Sequence, residues 1–119
     1  MTDEQSRQQA GVDAFVRTVR ARRCLWGLES ADGFAVCESG LAPGTGVMPF
    51  WSGEELATRH AVGEWSGYRA VAIDLDEFLE HWTLGLAGDG YLVGIEWDAS
   101  LEGAEVEAEV LEEMLLGER

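Results

Sequence analysis

From Asp74 the sequence carries Leu75, Phe78, Leu79, Trp82 and Leu86, large apolar residues at relative positions 0, 3, 4, 7 and 11. That spacing lays all five along one stripe of an α-helix. Asp74 stands where an N-cap belongs and Glu77 at the third helical position, a capping-box pattern. Each of these side chains contributes roughly 1.5–3 kcal/mol when buried. A stripe this heavy has to press into a second layer, so the question becomes what the other segments build.

The first segment predicts a helix, with Val12, Phe15, Val16 and Val19 on one face. Leu25–Glu29 and Phe34–Glu38 flank Ala31-Asp32-Gly33, and an Asp-Gly pair predicts a hairpin turn. The glycines of Gly40–Gly46 precede no Gly-Lys-Ser/Thr and no helix, so they read as a loop and not as a phosphate cradle. Val47–Trp51 predicts a short strand. Ser52-Gly53-Glu54-Glu55 predicts a second capping box, opening a helix through Leu56, Ala57, His60 and Ala61 that Gly63 stops. Ala70–Ile73 and Tyr91–Trp97 read as strands, the second with Leu92 and Val93 both apolar, which suggests partial cover on both faces. Glu105–Leu116 closes as a helix with Val106, Val110, Leu111, Met114 and Leu115 inward. The order is α-β-β-β-α-β-α-β-α. It predicts an α+β fold, a mixed or antiparallel sheet of about five strands packed by helices. The 119 residues form one domain, 1–119, with a core of about 12–116.

Charge restricts the partners. Acids number 23 and arginines 8, with no lysine, for a formal charge of -15. A nucleic-acid binder needs cations to displace counterions, and an anionic membrane needs them to dock, so neither is expected. Residues 1–25 hold five arginines against Asp3, Glu4 and Asp13, which is +2 and leaves -17 on the rest. The N-terminus has no basic start or apolar run of a signal peptide, so a cytoplasmic protein is expected. In the hairpin, Cys37 would face Leu28, leaving Cys24 roughly 13 Å along the strand. A disulfide needs Cα atoms within about 7 Å. Cys24 and Cys37 therefore read as free, half-buried thiols.

No constellation spells a reaction. Glu77 and His81 are helical neighbours, and His60 precedes Glu64 by four, but two histidines on separate helices do not converge as a zinc site does. Asp74 and Asp76 are explained as a cap and a first-turn acid. The serines lack a nucleophile elbow. No metal, cofactor or catalytic residue is expected. The five tryptophans are more informative. Trp51 and Trp65 bracket one helix, and Trp65 lies with Glu64, Tyr68 and Arg69 in a Gly/Ser-rich connection. Trp, Tyr and Arg are the residues that dominate interfaces. Trp65 reads either as a plug on the helix end or as part of a contact surface.

The blocks Phe50-Trp51-Ser52-Gly53-Glu54-Glu55, Val62-Gly63-Glu64-Trp65-Ser66-Gly67-Tyr68-Arg69, Ile73-Asp74-Leu75-Asp76-Glu77-Phe78-Leu79-Glu80 and Leu92-Val93-Gly94-Ile95-Glu96-Trp97-Asp98 resemble the bacterial DUF2750 family, over most of the chain from about Val12. The family has no assigned function, so the resemblance implies no catalytic residue. A weaker likeness, in element order only, is to the N-terminal domain of SseB-like proteins and implies a small binding domain. Where that order expects a Pro before the last helix, this chain has Ala108.

Together these point to a non-enzymatic, cytoplasmic interaction module, immunity-like or regulatory, with Trp65, Tyr68, Arg69, Trp51 and Glu64 as binding residues. Asp98, Glu102 and the glutamates of the last helix would attract a basic protein partner. The alternative is a small-molecule binder or small enzyme with a pocket between sheet and helices, using Glu64, His60 or Arg69. A third reading is a homo-oligomer in which the arginine-rich first helix docks on another subunit's acidic face.

Overall fold

The computed structural model describes residues 3–40, 42–98 and 103–117, leaving aside the side chains of residues 3–8 and of residue 64. It bears out the α+β class. The elements are α1 (Asp3–Arg22), β1 (Cys24–Ser30), β2 (Gly33–Phe34), β3 (Cys37–Glu38), β4 (Gly46–Phe50), α2 (Glu54–Thr58), a 3-10 turn (Gly63–Trp65), β5 (Arg69–Asp74), α3 (Leu75–Glu77), a π turn (Phe78–Trp82), α4 (Thr83–Asp89), β6 (Leu92–Ile95), β7 (Ala104–Glu107) and α5 (Ala108–Leu116).

The strands form a three-stranded sheet, β2-β1-β5, and a four-stranded sheet, β3-β4-β6-β7. Trp26 and Trp51 join them, each main-chain N–H donating to the other's carbonyl at 2.8 Å. Through that bridge the strands run β5-β1-β4-β6-β7. β4 and β6 are parallel, with Phe50 opposite Ile95, and the other pairs are antiparallel. The strand count is roughly that of the expected mixed sheet of about five, with β7 added and Phe34–Glu38 divided.

The sheet is covered on both faces, and its strand alternation sorts the core into two clusters. Leu25, Phe50, Ile73, Val93 and Ile95 face α1, α3, the π turn, α4 and α5, meeting Val12, Phe15, Val19, Phe78 and Leu86. Leu28, Val47 and Trp51 face the other way, toward Ala57 of α2. Leu92 and Val93 point to opposite clusters, as their succession required. The stripe from Leu75 does anchor the larger cluster. At Phe78–Trp82 the helix widens into a π turn, where the Phe78 and Trp82 rings stack with centroids 6.2 Å apart. Trp82 meets Phe34 edge-on at 4.7 Å, and Phe50 meets Phe78 edge-on at 5.4 Å.

The helix caps come out differently. Asp74 accepts hydrogen bonds from the amides of Asp76 and Glu77, the predicted cap. Asp74→Ala is expected to lower stability by about 0.5–2 kcal/mol, read from urea unfolding. No change would mean that the two amides find other acceptors. Ser52 is not the second cap: α2 starts at Glu54 after Gly53, with no side-chain cap bond. Its hydroxyl goes instead to the Glu96 carboxylate, a charged and stronger acceptor.

Three further expectations are corrected. Phe34–Glu38 is two short strands in different sheets, since β2 pairs with β1 and β3 with β4. Glu105–Glu107 belongs to β7 and pairs with β6, so the last helix begins at Ala108 and Val106 faces the core from a strand. Val110 is 41% exposed, not inward. Cys24 and Cys37 are half-buried, as read, though Cys37 pairs with Val47 of β4 and not with Leu28. Two of the arginines at the end of α1 make contacts within the chain. Arg22 donates to the Ser52 carbonyl at 3.4 Å, and Arg23 pairs with Asp76 at 2.7 Å. Among the described residues no helix is long and apolar enough to cross a membrane.

Candidate functional site

The two faces of the sheet are covered unequally. α1, α4 and α5 occupy one. On the other lies α2, five residues long and so only about 7.5 Å from end to end. What it leaves uncovered is a cleft of about 850 Å³. Three stretches line it: Val36, Cys37 and Glu38 leading into β3; Leu56, Arg59, His60, Val62 and Trp65 from α2 to the 3-10 turn; and Glu96, Trp97 and Asp98 after β6. The last stretch lies beyond the carboxyl end of β6, beside the carboxyl end of its parallel neighbour β4.

Glu96 organises that end. It sits in the left-handed region, φ 49°, which costs a non-glycine residue about 1–3 kcal/mol. The surrounding bonds hold it there. Its N–H donates to the Phe50 carbonyl at 3.0 Å. Its carboxylate accepts the Ser52 N–H at 2.8 Å and the Ser52 O–H at 2.5 Å. The ends of β4 and β6 are thereby tied across the cleft wall.

His60 lies in the turn after α2. Its Nδ1 is 3.0 Å from the Leu56 carbonyl oxygen and its Nε2 is 2.7 Å from that of Asp98. The ring rests on Trp51, centroids 4.7 Å apart. A neutral imidazole donates to one of those carbonyls, a doubly protonated one to both. In either form the ring ties α2 to the segment after β6 and turns neither nitrogen on a hydroxyl or thiol.

The residues singled out in the sequence are distributed as follows. Trp65 lines the cleft, half-buried, with the Tyr68 ring 6.1 Å away. Both also pack on the smaller core cluster, so Trp65 is plug on one side and cleft wall on the other. Arg69 is exposed on β5, opposite Glu29, outside the cleft lining. Trp51 is buried, 1% exposed, with its indole N–H donating to the Trp97 carbonyl at 3.1 Å. It supports the site from below and presents no contact surface. The Glu64 side chain and Glu102 fall outside the described residues. Asp98 lines the cleft, while Glu109 and Glu113 are exposed on α5. His81 is exposed, its Nε2 3.9 Å from a Glu80 carboxylate oxygen. Among the described residues no three His, Cys, Asp or Glu are placed to hold a metal ion.

Sequence reasoning missed Val36, Glu38, Leu56, Arg59, Val62 and Glu96. Val62 is 65% exposed and Val36 38%, apolar surface left at the cleft where water would otherwise expel it. A branched apolar residue directly before Gly63 in a polar connection was the available signal.

Comparison with curated proteins gave no match, and comparison with solved structures gave none. The family model described as protein of unknown function (DUF2750) matches residues 12–115, most of the chain. The protein belongs to the DUF2750 family.

Proposed function

We propose that this protein is a non-enzymatic interaction module that holds a partner protein in the cleft beside α2. The observation that carries the reading is the exposed apolar lip, Val36 and Val62, set against the half-buried Trp65. Apolar surface rimmed by charge is the usual composition of a docking site. The reactive side chains nearby support binding over catalysis. The Ser52 hydroxyl donates to a carboxylate and not to an imidazole, and the His60 nitrogens face main-chain oxygens. The half-buried Cys24 and Cys37 lie on different strands, β1 and β3, and suit the reducing cytoplasm, where we place the protein.

Trp65→Ala and Val62→Asp test this. Both are expected to stay folded, Trp65→Ala losing about 1–2 kcal/mol because its ring is only partly buried. Affinity capture from native lysate should return a partner with the wild type and lose it with either variant. A partner retained by folded Trp65→Ala would place the contact elsewhere.

The volume of the cleft also lies in the range of small-molecule sites, which favours a second reading. Native mass spectrometry separates the two. The bare chain mass is expected, and a stoichiometric small adduct lost in Trp65→Ala would establish the second.

A further inference from the structure

We infer that the cleft takes a lysine or arginine side chain of the partner, presented beside an aliphatic residue. This rests on the binding reading above and adds the chemistry of the bound segment. Among the described residues three carboxylates line the cleft, Glu38, Glu96 and Asp98, against one guanidinium, that of Arg59. Glu96 and Glu38 are held before any ligand arrives. Glu96 is fixed by Ser52, and Glu38 accepts the Gly44 N–H at 3.1 Å. Fixed carboxylates lose little freedom on binding, so more of their attraction appears as affinity.

The His60 ring nitrogens are turned on the Leu56 and Asp98 carbonyl oxygens, so the ring directs no N–H at a cleft ligand. Trp65 adds an aromatic wall, and a cation against an indole face gains further attraction. The aliphatic neighbour follows from Val36 and Val62, which need apolar cover and lie on the same cleft. A volume of about 850 Å³ exceeds one side chain and suits a short segment. The formal charge of -15 draws such a segment in and repels acidic ones.

The test uses the full chain and short synthetic peptides with a central Arg, Lys, Gln or Glu between varied aliphatic flanks, together with capped arginine amide. Binding is read by calorimetry at low salt. The Arg and Lys peptides are expected to bind about tenfold tighter than their Gln counterparts, and the Glu peptides weakest. Glu38→Gln and Asp98→Asn should each weaken the Arg peptide by about threefold to tenfold, with Glu109→Gln on α5 unchanged. Trp65→Ala should weaken every peptide. If Gln peptides bind as tightly as Arg peptides and still depend on Trp65, the cleft reading stands and the cationic inference fails. If no peptide of any charge shows Trp65-dependent binding, both fail. If capped arginine amide matches the peptides, the ligand is a small cation and the partner segment is overturned.

Discussion

Trp51→Ala is expected to remove about 3–5 kcal/mol of stability, out of the roughly 5–15 kcal/mol that holds a domain of this kind together. The melting temperature should fall by about 10–20 °C. The ring is 1% exposed, and three attachments depend on it. Its indole N–H satisfies the Trp97 carbonyl, which alanine would leave without that donor. Its face carries the His60 ring. Its volume fills the smaller core cluster among Leu28, Val47 and Ala57. The main-chain bridge to Trp26 survives the substitution, so the sheet keeps its stitch and loses its filling. Trp51→Phe divides the effect, retaining most of the volume while leaving a buried acceptor unpaired, about 1–3 kcal/mol. Urea unfolding followed by circular dichroism measures both. A Trp51→Ala protein as stable as the wild type would mean that the ring does not fill this cluster. The contrast with Trp65→Ala matters, because binding lost at Trp51 would come with lost fold, and binding lost at Trp65 would not.

The helices were legible in the sequence because their signal is local. The Leu75–Leu86 stripe and the Asp74 cap are written within a few turns of one another, and both hold. The strands were legible only where they are long. Phe34–Glu38 alternates as one strand would, yet β1 cannot accept all of it. With Glu29 opposite Phe34, the Ala35 N–H reaches the Leu28 carbonyl, and the next place along that edge, at Trp26, is taken by Trp51. The chain therefore leaves for β4, a decision made by a residue 15 positions beyond Val36. Val106 and Val110 have helical spacing, and Glu105-Val106-Glu107 also alternates. Pairing with β6 decides for the strand.

The candidate site was legible in fragments. Trp65 was found because tryptophan in a polar connection is unusual, and Asp98 because it belongs to the acidic excess of the chain. Their association with Glu38 and Val36 depends on β3 joining β4, which no spacing expresses. The Ser52 misreading has the same origin. Its true acceptor, Glu96, is 44 residues away and turned inward by a left-handed backbone.

Gly94→Ala is expected to cost about 2–4 kcal/mol, through overpacking and the hydrogen bonds it disturbs. Gly94 lies in the middle of β6, opposite Pro49 of β4 and Glu105 of β7, where a strand ordinarily gains from a side chain. Its missing Cβ has a specific cause. A Cβ there would stand 2.6–2.8 Å from Cε2, Cζ2 and Nε1 of Trp97. The Trp97 indole thus lies directly on bare backbone, and Gly103 approaches the same ring. In that position its N–H donates to the Ala104 carbonyl at 3.1 Å while its own carbonyl accepts from Trp51. Pushing the ring away breaks the first bond and disturbs the second, and it reshapes the cleft that Trp97 lines. Combining Gly94→Ala with Trp97→Ala should cost less than the sum of the two, since removing the ring removes the collision. Additive costs would mean that the two residues do not touch. Binding of a cleft ligand should weaken in Gly94→Ala even at temperatures where it remains folded, because the wall beyond β6 is set by where that indole lies.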